Sequence, residues 1–98
     1  MQNAFDLLTT DRLLTAYFPA IPVVPIYRLF ELSHSFSVHK VLIPSSRDLK
    51  GLRTMVQKHI KEGWFVKAVT AVNTDPDSRF RALMVDTRGV VSAQFQVQ

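Results

Sequence analysis

Apolar and polar positions change their spacing several times along this chain, and each change marks an element. In NAFDLLTTDRLLTAYF (3–18), Leu7, Leu14 and Phe18 fall on one stripe at helical spacing. Asp11 falls on the same stripe, which predicts a break near Thr9-Thr10, with Thr10 capping a second segment. Pro19 ends the helix. The following PAIPVVP (19–25) holds three prolines, which fix φ and remove amide donors. It predicts an extended connector pressed onto the core by Ile21, Val23 and Val24. In IYRLFELSH (26–34), Pro25 at the entry favours a short helix, whereas the aromatic and β-branched start speaks for a strand.

From Ser35 onward the pattern sharpens. SFSVHKVLI (35–43) sets Phe36, Val38 and Leu42 against Ser35, Ser37 and His39, a strand that Pro44 would close. Ser45-Ser46-Arg47-Asp48 has the form of a capping box, with the Ser45 hydroxyl as cap and Asp48 reaching back. A helix from about Ser46 to Glu62 follows, its apolar face made of Leu49, Leu52, Val56 and Ile60, and Gly63 stops it. WFVKAVTAV (64–72) is apolar on both faces, as a central strand covered twice would be. Residues 73–78 read as a turn, Phe80 to Val85 as a strand, and Asp86-Thr87-Arg88-Gly89 as a hairpin. Finally, Val91, Ala93, Phe95 and Val97 alternate with Ser92, Gln94, Gln96 and Gln98, the mark of a half-buried strand.

These elements predict one α+β domain spanning 1–98. Residues 1–34 form a mainly helical part with one or two helices, and 35–98 run strand–helix–strand–strand–strand. The sheet has about four strands, antiparallel or mixed, with the final three as a meander and the capped amphipathic helix packed across it.

Composition narrows the chemistry. A chain of 98 residues with seven Phe, one Trp and two Tyr can bury a core without a metal or disulfide to hold it. It contains no Cys, which removes thiolate ligands and cysteine nucleophiles and fits a reducing, cytoplasmic setting. No secretory leader or membrane span is expected, because the start carries Asp6, Asp11 and Arg12 and the longest apolar run is interrupted by prolines.

Charge redraws the picture more than composition does. The net charge is +4, and it is unevenly placed. Lys40, Arg47, Lys50, Arg53, Lys58, Lys61 and Lys67 stand against only Asp48 and Glu62, while the rest of the chain is close to balanced. On a helical wheel Arg47, Lys50, Arg53, Lys58 and Lys61 share an arc of about 140°, with Thr54 and Gln57 between them. Such an arc repels itself and would be relieved by an anionic partner such as nucleic acid or an acidic protein. The plainer alternative is the polar face that any amphipathic helix needs, with Lys58 and Lys61 complementing the helix dipole. No aromatic residue interleaves the arc to stack on bases. Lys67, Arg79 and Arg81 would extend it if their strand faces point the same way.

Other constellations are thinner. Glu31 and His34 stand at i,i+3, a ligand spacing only on a helix, and no further ligand accompanies them. Ser33, Ser35 or Ser37 could meet His34 or His39, yet no glycine-bounded elbow frames them. His59 lies near the helix end and close to Trp64, a structural place. Asn73-x-Asp75-x-Asp77 imitates a calcium loop but lacks its glycine and its acid at position twelve, so it reads as a turn. No catalytic residue, metal site or cofactor is expected.

Two classes of function follow. The first is a small, non-enzymatic intracellular interaction or regulatory protein working by surface contact. Its partner would be another protein or a second copy, paired through an edge strand at 90–98. The second is a nucleic-acid-binding protein using Arg47, Lys50, Arg53, Lys58 and Lys61. A small enzyme built on His39 or His34 is a distant third.

Overall fold

The computed structural model describes residues 2–36 and 39–86, and for 2–9 the backbone alone. In chain order the elements are helices α1 (Gln2–Tyr17) and α2 (Ile26–Ser35), short strands β1 (Val41–Leu42) and β2 (Ser45–Ser46), and helix α3 (Leu49–Lys61). Strand β3 (Trp64–Ala71), a 3₁₀ turn at Pro76–Ser78 and strand β4 (Phe80–Asp86) complete the described part. The class is α+β, with three helices and an antiparallel four-strand sheet among the described residues. The expected hairpin turn and last strand (90–98) lie outside the described residues.

β4 is the centre of the sheet. β3 pairs along its whole length on one edge, from Trp64↔Asp86 to Ala71↔Phe80. β1 and β2 pair with it on the other edge, Val41↔Val85, Leu42↔Met84, Ser45↔Arg81 and Ser46↔Phe80. These pairs share a single register. β1 and β2 therefore lie on one continuous line of pairing along β4, extended to Lys40 by the bond from the Asp86 amide to the Lys40 carbonyl at 3.1 Å. Pro44 does not end this pairing, as the sequence suggested. Its carbonyl accepts the Ala82 amide at 3.0 Å, and only the bond needing a proline N–H is missing. Both edges of β4 are thus occupied among the described residues.

Beyond β3, the proline-rich connector serves as a fragment of strand. Val69 donates to the Pro22 carbonyl at 3.0 Å and accepts from the Val24 amide at 2.9 Å, a parallel bridge at Val23. The chain thereby crosses from one face of the sheet to the other at its edge.

Both faces are covered. On one, Leu14 of α1, Phe18 just after it, and Leu49, Leu52 and Val56 of α3 bury Val69, Ala82 and Met84. On the other, Leu29 of α2 buries Ala68 and Leu83, with Val24, Leu32, Phe36, Val41 and Ile43 around them. β4 is consequently buried from Ala82 to Asp86 without alternation, the signature the sequence analysis assigned to β3.

Two expectations about the helices change, and the short helix favoured at 26–34 holds. α1 is continuous through Thr9-Thr10; Leu14 and Phe18 are buried while Asp11 stays in solvent. Residues 26–34 are helical, and α2 runs on to Ser35. The strand expected from Ser35 therefore begins only at Lys40. α3 starts later than expected, because its cap is Asp48, whose carboxylate accepts the Gly51 amide at 2.7 Å. Ser45 belongs to the sheet instead, its hydroxyl 3.4 Å from that of Ser78. Gly63 takes φ 103°, confirming the glycine stop.

Candidate functional site

α3 places the candidate residues. Leu49, Leu52 and Val56, spaced at three and four, are buried against the sheet, and this anchoring turns the opposite side of the helix to water. Ile60, expected in the same apolar stripe, is 48% exposed, because the last turn has passed the edge of the core.

Lys50, Arg53, Lys58 and Lys61 are all exposed on the outer side, along about 16 Å of helix. Lys50–Arg53 and Lys58–Lys61 are like-charge pairs at i,i+3, each costing a few tenths of a kcal/mol. Among the described residues no carboxylate forms an ion pair with any of these four. Glu62, the acid nearest by sequence, is engaged by His59, with Nδ1 2.9 Å from Oε1. Thr54 turns its hydroxyl back to the Lys50 carbonyl at 3.0 Å. Thr54, Gln57 and the cations are the exposed polar side chains of this side.

Arg47 does not join the helical row. It precedes the Asp48 cap, so it lies off the helix, and its guanidinium reaches toward Asp77 at 3.8 Å. It stands at the amino-terminal end of the row with its charge partly offset. Of the three extensions, Arg79 is exposed, whereas Lys67 and Arg81 are engaged elsewhere. Lys67 sits at an irregularity in the β3–β4 register between Val66 and Ala68. Its ammonium lies over the rings of Phe36 and Phe65 at 5.7 and 5.6 Å, on the α2 side of the sheet. Arg81 is held by Asp75 at 3.1 Å and by the Ser78 carbonyl at 3.0 Å.

One neighbour of the row escaped the sequence. Tyr17, from α1, lies beneath Arg53, its ring centroid 5.7 Å from the guanidinium carbon. Nothing in the local pattern of either helix indicates this pairing, which arises from packing both on one face of the sheet.

The thinner constellations fall into place as well. Glu31 pairs with Arg28 at 3.3 Å, and His34 is exposed at the end of α2. His39 sets its ring 5.8 Å from that of Phe36, with a buried Nδ1 that has no partner among the described residues. His59 meets Trp64 edge-on at 6.5 Å. Asp75 and Asp77 of the calcium-like turn face Arg81 and Arg47 respectively. Among the described residues no group of three acids and histidines is placed to hold a metal ion, and no helix is long and apolar enough to cross a membrane. Comparison with family models, with curated proteins and with solved structures finds no match for this chain.

Proposed function

We propose that this is a small, non-enzymatic binding protein that works by surface contact, with the outer face of α3 as its contact surface and an anionic partner. One observation carries the reading: Lys50, Arg53, Lys58 and Lys61 stand together in solvent with no carboxylate paired to any of them among the described residues. A polar face needs charge of some sign, but an amphipathic helix gains by mixing signs. This helix does not mix them. An anionic surface would remove the self-repulsion and gain steering from it. The lack of cysteine suits a reducing, cytoplasmic setting.

The test is retention on an immobilised sulfated polysaccharide. Replacing Lys50, Arg53 and Lys58 together with Gln should abolish retention. Replacing Arg12, Arg28 and Lys40, which carry the same charge at exposed positions elsewhere, should leave most of it. Equal losses from the two sets would refute a dedicated face.

A second reading, self-association by strand pairing, has an observation of its own. In the single register of β1 and β2, the backbone groups of Val41, Ile43 and Ser45 point away from β4. No strand pairs with that edge among the described residues. A second copy could add there. Ser45→Pro removes an outward amide while leaving the β4 ladder intact. Sedimentation over a range of concentrations should show a dimer that this variant weakens; a monomer throughout removes the reading.

A further inference from the structure

We infer that the anionic partner of α3 is double-stranded nucleic acid, held through its phosphate backbone without selection of sequence. This rests on the contact face proposed above and adds the identity of what it meets. The composition of the face decides among polyanions. Its outward side chains are Lys50, Arg53, Thr54, Gln57, Lys58 and Lys61, with no apolar residue among them. A lasting protein–protein contact is anchored by apolar or aromatic side chains at its centre, ringed by polar ones. Here the centre is cationic, and the nearest exposed apolar side chain, Ile60, lies beyond the Arg53 edge.

A single strand would need free rings on which its bases could stack. Tyr17, the ring that meets the row, is already taken by Arg53, and Trp64, just after α3, by His59. A duplex asks for neither anchor nor ring. It presents a charge about every 1.7 Å of its axis, and backbone contacts from Lys, Arg and small polar groups suffice to hold it. α3 supplies these on a rod fixed to the sheet by Leu49, Leu52 and Val56. A helix of ordinary diameter, about 10–12 Å, also matches the roughly 12 Å width of the major groove.

The experiment titrates the whole chain with a mixed-sequence 20-base-pair DNA duplex, its single strand and polyglutamate, each over a series of salt concentrations. Four released counterions give an expected slope of log K against log salt of about −3.6 for the duplex. Lys58→Gln should make that slope shallower by about 0.9, and a shuffled duplex should bind equally well. Polyglutamate binding without duplex binding would overturn the inference while leaving the contact face in place. Tighter binding of the single strand would overturn it also. Binding of none of the three would remove the contact face itself.

Discussion

The Asp48 carboxylate that accepts the Gly51 amide at 2.7 Å also stands 2.7 Å from where a Cβ on residue 51 would be. The cap and the missing side chain are thus one device. Glycine is a poor helix former, and replacing it with alanine in an exposed helix usually gains up to about 1 kcal/mol. Here the alanine methyl would displace the capping oxygen, whose loss costs about 1 kcal/mol. Gly51→Ala should therefore give no gain in urea unfolding of the parent chain. The Ser46 hydroxyl crowds the same place, so a gain of about 1 kcal/mol should appear only when Ser46 and Asp48 are both already alanine. Additive effects across this cycle would show that these positions do not communicate.

Seating of α3 can be read from two apolar positions. Leu52 is wholly buried and Ile60 is 48% exposed. Leu52→Ala should cost about 2–5 kcal/mol, and Ile60→Ala well under about 1 kcal/mol. Similar losses at both would mean that the helix is rotated or extends further over the sheet.

Ala20 holds φ at 69°, the left-handed region, just after α1. A Cβ there costs about 1–2 kcal/mol. Ala20→Gly relieves it and loosens the unfolded chain, for a net gain of about 0.5 kcal/mol. That corresponds to a rise in Tm of roughly 2–4 °C. Gly63→Ala, at φ 103°, should run the other way by about 1 kcal/mol or more. A fall in Tm for Ala20→Gly would place that turn in a different conformation.

Thr70 is fully buried and its hydroxyl has no hydrogen-bond partner among the described residues. A buried hydroxyl left unpaired costs about 1–3 kcal/mol. Thr70→Val, equal in shape, should be neutral or stabilising by about 1 kcal/mol in thermal unfolding. A clear loss would mean that the hydroxyl has found a donor or acceptor.

What the sequence revealed divides by range. α3, its leucine face and its glycine stop were legible because each depends on neighbours within a turn or two. So were β3, β4 and the turn between them. The role of residues 40–46 was not. Pro44 looks like a terminator locally, and only the distant β4 shows that the pairing passes through it by using the proline carbonyl. The connector at Pro22–Val24 was seen as extended, but its place on the edge of β3 needed Val69. Within the site, Lys50, Arg53, Lys58 and Lys61 were legible from periodicity. Arg47 was assigned to the helix because Ser45 resembled a cap, when Asp48, three residues on, takes that role. The Tyr17–Arg53 contact had no local trace.

Covalent footprinting of lysines reads the outward face most directly, since acetylation followed by mass spectrometry reports each amine separately. In the free protein, Lys50, Lys58 and Lys61 should react as solvent-exposed amines. Saturating duplex should slow all three several-fold and leave Lys40 unchanged. Slow labelling of the three before any duplex is added, or protection at Lys40 in place of them, would contradict a helix that rests on its leucines and meets its partner with its cations.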